Sequence, residues 1–271
     1  MKKRKRKLNR KNCLILFAGI SLFLIIFIVF LFESNKPDIT YLSDIPLNNY
    51  QKDKFYYQDN LLYYQDNNYS SIAGIDISSH NQEVDFKKLK ANGFSFVFIR
   101  LGYRGYTEGG LFLDEKFNDY YREAKDSGLD IGIYFFSQAI NEKEALEEAK
   151  FVLKNLRNKE LDLPIVYDYE EIDYSNSRMA HLGKKERSLN ALSFLNYIKD
   201  SGHEVLLYTN QDWINNYYVL ELLGQFPIWF AQYDKLPSFP YHYEYLQYSE
   251  SGEIDGVKGK ADLNICFIPN K

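Results

Sequence analysis

From Ser71 onward, strand-length apolar runs alternate with stretches of helical spacing until the last third of the chain, where the helices drop out. This alternation narrows the fold further than any other feature. Eight runs have strand length: IAGIDIS (72–78), FSFVFIRL (94–101), DIGIYFF (130–136), LPIVYDYE (163–170), HEVLLYT (203–209), PIWFAQY (227–233), YEYLQYS (243–249) and ADLNICF (261–267). Several are nearly continuous apolar segments, as strands of a parallel sheet must be when neither face meets water. Between the first six lie helix candidates at 85–91, 114–127, 141–157, 185–200 and 211–223. In NEKEALEEAKFVLKNLR (141–157), Asn141 with Glu144 three residues on makes an N-terminal cap, and Ala145, Ala149, Val152, Leu153 and Leu156 form one apolar stripe. The pattern predicts an α/β fold, a parallel barrel with a degenerate final third. A doubly wound open sheet is the alternative, but no Gly-rich phosphate loop follows the first strand.

Upstream of Ser71 the composition changes. Residues 1–11, MKKRKRKLNRK, carry eight Lys and Arg and no acid, and the 20 residues from Cys13 to Phe32 carry no charge. At about 1.5 Å per residue, such a helix spans the roughly 30 Å hydrocarbon core of a bilayer. The expectation is an uncleaved signal anchor at 12–32, with 1–11 cytoplasmic and the rest outside, at the cell membrane. Residues 33–70 are polar, repeat YYQDN at Tyr56–Asn60 and Tyr63–Asn67, and read as an extracytoplasmic linker to a domain at 71–271. Packing of that stretch on the domain is the alternative, because Phe55, Leu61 and Leu62 need somewhere to go.

With the eight basic residues set aside, 25 Lys and Arg face 37 Asp and Glu, a net charge of −12 for residues 12–271. That balance argues against nucleic acid as a partner. Cys13 and Cys266 cannot bridge, and His80, His181, His203 and His242 are scattered without a metal-binding motif, so neither metal nor cofactor is expected.

Barrel enzymes place their chemistry at the carboxyl ends of the strands. Those ends supply Asp76, Asp168 and Glu170, with Tyr134, Tyr208, Trp229 and Gln247 around them. Acids with aromatic rings suit a sugar polymer, since rings stack on pyranose faces and acids move protons. Core packing is the competing reading for the three rings. In an extended strand Asp168 and Glu170 point the same way, roughly 6–7 Å apart. At an effective dielectric of about 20 that repulsion is worth roughly 3 kcal/mol, about two pKa units, so one of the two should keep its proton near neutrality.

Several ordered motifs then resemble one family. GIDISSHNQEVDF (74–86), FVFIRLGYRG (96–105), DEKFNDYYREAKDSGLDIGIYFF (114–136), LPIVYDYE, WFAQY (229–233) and LQYSESGEIDGVKGKADLNICF (246–267) are similar to the glycoside hydrolase family 25 lysozymes. The resemblance implies an irregular barrel of eight strands and about five helices. It also implies N-acetylmuramidase activity on the β-1,4 bond from N-acetylmuramic acid to N-acetylglucosamine in peptidoglycan. The family's acids fall on Asp76, on Asp168 and Glu170, and on Asp262, which the strand-end reasoning does not select. Gln82, Phe135 and Leu246 replace a common glycine, a frequent histidine and the usual tryptophan. A catalytically silent wall-binding module and a hydrolase of another N-acetyl polymer, such as chitin, are the competing functions.

Overall fold

The computed structural model describes residues 45–170, 177–233 and 236–270. The basic segment 1–11, the apolar segment 12–32 and the linker residues 33–44 lie outside them. Among the described residues no helix is long and apolar enough to cross a membrane.

The chain enters through a hairpin, β1 (Phe55–Gln58) and β2 (Leu61–Tyr64), turned by Asp59 and Asn60 at φ 49° and 66°. Asp and Asn are, after glycine, the residues that best tolerate that conformation. There follow β3 (Tyr69–Ile77), α1 (Phe86–Ala91), β4 (Phe94–Arg104), β5 (Leu111–Leu113), α2 (Phe117–Asp126), β6 (Asp130–Ser137), α3 (Glu142–Asn155) and β7 (Ile165–Tyr169). The second half holds α4 (Lys184–Asp200), β8 (Val205–Asn210), α5 (Gln211–Asn216), α6 (Leu220–Leu223), β9 (Ile228–Ala231), β10 (Tyr245–Glu253) and β11 (Lys260–Pro269). Strands β3, β4, β6, β7, β8, β9 and β10 run parallel, and β11 closes the ring antiparallel to both β10 and β3. The result is the expected eight-stranded barrel, with β5 appended to the end of β4. The helix expected over 211–223 is split at Tyr217–Val219, where the Val219 amide donates to Ser188 Oγ at 2.8 Å. Two tyrosines and a β-branched residue are poor helix formers there.

Alternation along the strands divides the apolar residues into two cores. Inside the barrel, Phe96, Phe98, Val166, Leu206, Trp229 and Tyr245 fill the floor, with Phe98 stacked on Trp229 at 4.7 Å. Gly74 and Gly132 make room for these rings: a Cβ at either would come within 2.2–2.3 Å of Phe96 or Phe98. Outside, Val97, Ile99, Ile131, Ile133 and Tyr167 pack against α2, α3 and α4.

The tether expected over 33–70 does not hold for its described part, 45–70. Tyr50 stacks on Phe267 at 3.9 Å and donates its hydroxyl to the Tyr243 carbonyl, while Leu61, Leu62 and Tyr64 are buried. The Leu62 amide donates to Tyr248 Oη and the Tyr64 amide to Ser71 Oγ. No described helix follows β9 or β10, so outward-facing residues of β10 and β11 need another cover. The N-terminal segment provides it.

Candidate active site

A cavity of about 580 Å³ opens at the carboxyl ends of the parallel strands. Asp76, Tyr134, Asp168, Glu170, Tyr208, Trp229, Gln247 and Asp262 all line it. Alternation along β7 explains the acids. Tyr167 and Tyr169 turn outward, the latter donating to the Ala139 carbonyl at 2.6 Å, which leaves Asp168 and the following Glu170 on the cavity side. Asp262 lies near the start of β11, whose reversed direction brings that start to the mouth, directly opposite Asp76 in the ladder. Reasoning from strand ends misses it for that reason; the short β10–β11 connection is the signal that the last strand turns back.

Only part of the expected sugar platform faces space. Tyr134 is half-buried, whereas Tyr208, Trp229 and Gln247 are 7%, 2% and 3% exposed. Their polar ends engage one another and two amides. Tyr208 Oη and Tyr233 Oη both donate to Gln247 Oε1, at 2.8 and 2.6 Å, and Trp229 Nε1 donates to Asn264 Oδ1 at 2.9 Å. Gln247 Nε2 and Asn264 Nδ2 in turn donate to Asp76 Oδ2, at 2.8 and 2.7 Å. Tyr233, Asn264 and Arg100 were not singled out from the sequence. Arg100 lines the cavity with its Nε held by buried Asp114 at 2.8 Å and its Nη2 by Ser79 Oγ.

The electrostatics follow from burial among like charges. Glu170 is pushed up to about 7, first by burial and then by the charges of Asp262 and Glu250. Burial and the charges of Glu170 and Asp76 raise Asp168 well above the usual carboxylate range, with Arg100 opposing them. Burial raises Asp76 in the same way, and the neighbouring Asp262 adds to it. Asp262 itself reaches about 6, held lower by its hydrogen bond with Asp76. Among the described residues Asp168 Oδ1 is buried without a hydrogen-bond partner.

These shifts carry a sign for stability. A carboxyl whose folded pKa is raised binds its proton more tightly in the native state, so its contribution is full below the unfolded value and is lost as pH rises through the folded one. The melting temperature is therefore expected to fall between about pH 5 and pH 8, as Asp262 and Glu170 lose their protons. Calorimetry across that range checks this; a melting temperature that rises with pH contradicts it.

The sequence profile of the glycosyl hydrolases family 25 matches residues 75–257, which contain three of the four acids and six of the eight barrel strands in full. The chain belongs to family 25. Its family 25 barrel is similar to the "Autolytic lysozyme" of Clostridium acetobutylicum, with 31% identity over 199 residues, 71% of this chain and 55% of that protein. It is also similar to "Lysozyme M1" of Streptomyces globisporus, 24% identical over 206 residues, 72% of this chain and 67% of that protein. Among solved structures, the modular autolysin LytC of Streptococcus pneumoniae, in complex with a synthetic peptidoglycan ligand, superposes with a TM-score of 0.66 at 22% identity. That match covers 78% of this chain and 51% of the pneumococcal one. The chain thus spans about half the length of the clostridial relative and of the pneumococcal structure.

Two departures from the family pattern lie away from the cavity. Phe135 points outward, buried between Phe151 and Phe194, and Leu246 faces the outer groove beside Tyr57 and Tyr248. Gln82 adopts φ 56°, the half of backbone space that favours glycine, so the common glycine has a local reason and Gln82 carries strain of about 1–3 kcal/mol.

Proposed function

We propose that this protein is a cell-wall muramidase, cleaving the β-1,4 bond from N-acetylmuramic acid to N-acetylglucosamine in peptidoglycan glycan strands. The observation that carries the reading is Asp168 and Glu170 together on one wall of the cavity of a family 25 barrel, with Glu170 at about 7. A carboxyl that still holds a proton near neutrality can protonate the departing glycosidic oxygen, then take a proton from water in the second half of the reaction. Asp168, on the same wall, either attacks the anomeric carbon or orients the substrate's own N-acetyl group. Both routes retain configuration. Its unpartnered Oδ1 suits either role, and an N–H donor from substrate would stabilise the carboxylate form that burial disfavours. Tyr134 offers the ring surface against which a sugar can lie.

The uncharged run at 12–32 and the basic block before it support a membrane anchor with the barrel outside. A tethered muramidase acts on the nearby wall, so remodelling by the producing cell is the role proposed here. Mass spectrometry of fragments released from purified peptidoglycan by the full chain tests the activity. New N-acetylmuramic acid reducing ends are expected, with chitin oligomers left intact. Reducing-end N-acetylglucosamine, or no release, overturns the assignment.

A further inference from the structure

Two carboxyls, Asp76 and Asp262, face each other across β3 and β11, and which of their oxygens carries a proton depends on the amides around them. Asp76 Oδ2 receives both amide donors, Asn264 Nδ2 at 2.7 Å and Gln247 Nε2 at 2.8 Å. An amide can rotate by half a turn and present its oxygen instead, so something has to fix its sense. For Asn264 that is Trp229. An indole N–H can only donate, so the Asn264 atom 2.9 Å from Nε1 must be the oxygen, and Nδ2 is forced toward Asp76. Asn264 Nδ2 also reaches the Asp262 carbonyl at 3.2 Å, which only a donor can use. For Gln247, two phenols converge on Oε1 and favour the same sense.

We propose that Trp229, Tyr208 and Tyr233 are positioning residues: by fixing the Asn264 and Gln247 amides as donors to Asp76 Oδ2, they leave Oδ1 as the Asp76 oxygen that shares a proton with Asp262. An oxygen that accepts two N–H groups within 2.8 Å has no room for a proton of its own. The proton on the other oxygen hydrogen-bonds to Asp262 and favours its ionised form, consistent with the opposite effects of that bond on the two acids. Ionised Asp262 then contributes the largest like-charge push on Glu170. The lock on amides of β10 and β11 thus sets when the acid at the end of β7 gives up its proton.

Other groups bear on the pair. Tyr134 from β6, Asp168 from β7 and Tyr233 after β9 face it, Arg100 from β4 faces Asp168, Glu250 on β10 faces both Asp262 and Glu170, and Tyr208 from β8 hydrogen-bonds Glu170. Lys260 and His80 line the same cavity. None of these is altered by substitution of Trp229, whose N–H goes to Asn264.

The inference rests on the muramidase reading for its kinetic arm but not for its spectroscopic one. In the full chain, difference infrared spectra near pH 7 between wild type and Asp76→Asn should show a protonated-carboxyl band that the substitution removes. Trp229→Phe keeps an aromatic ring in the floor and deletes the N–H. It should shift that band and move the upper limb of the kcat/KM–pH profile down by at least about half a pH unit, because a less ionised Asp262 repels Glu170 less. If Trp229→Phe fails to fold, Tyr233→Phe loosens the hold on Gln247 Oε1 and carries the same expectation, with Tyr208 kept because its hydroxyl also bonds Glu170. No protonated band lost with Asp76, or folded variants with an unmoved band and limb, overturns the placement. A chain that hydrolyses no glycan would sink the muramidase reading while the infrared result still decides this one.

Discussion

Glu170→Gln is expected to reduce kcat on peptidoglycan by about 100- to 10,000-fold, the usual contribution of a positioned acid and base, with little change in KM. The substitution keeps shape and removes only the transferable proton and the charge. The backbone there is held independently of the carboxyl, because Gln138 Nε2 donates to the Glu170 carbonyl at 2.9 Å. Stability gives a second, opposite readout. Wild-type Glu170 must ionise in a buried site as pH passes about 7, and the glutamine never does. The variant should therefore melt with wild type near pH 5 and above it near pH 8. Turnover by muropeptide release and melting at the two pH values test both halves. Undiminished kcat would remove Glu170 from the chemistry, and a lowered melting temperature at pH 8 would contradict its burial as a strained acid.

The legible parts of this molecule were those encoded by short-range periodicity. LPIVYDYE declares both a buried strand and the shared face of its two acids, and the eight runs mark the eight barrel strands to within a few residues. What the sequence hid was long-range. Trp229 meets Asn264 across 35 residues, and Asp76 meets Gln247 across 171. No local pattern says whether a buried ring will touch sugar or orient an amide. Asp262 was invisible to strand-end logic because one strand runs backwards, a property of closure rather than of its own sequence. Residues 45–64 looked like a tether because they are polar on average. The apolar side chains that they bury, Ile45, Tyr50, Leu61, Leu62 and Tyr64, are nonetheless the ones the helix-poor side of the barrel needs.

The same blindness concealed Glu148, which looks like a surface acid of α3 but is fully buried against Arg104 at 2.7 Å. Arg104→Met is expected to cost about 3–5 kcal/mol, because it leaves that carboxylate without its counter-charge inside the protein. The guanidinium also donates to the Gly109 carbonyl at 2.7 Å and the Glu144 carbonyl at 2.9 Å, so the loss is not electrostatic alone. Even with Arg104 present, burial raises Glu148 to about 7, and Ser137 Oγ donates to its other oxygen. Without Arg104 its folded pKa rises further. A raised acid stabilises below its unfolded value and loses that contribution as pH climbs, so the deficit should be smaller near pH 5 than near pH 8. Urea denaturation at the two pH values measures this directly. The double variant Arg104→Met/Glu148→Leu removes both charges from the interior and should recover a large part of the loss, since a well-packed apolar pair avoids the desolvation that the ions incur. A double variant as unstable as the sum of its parts would mean that the two side chains act separately, and that packing rather than their pairing holds α3 on the sheet.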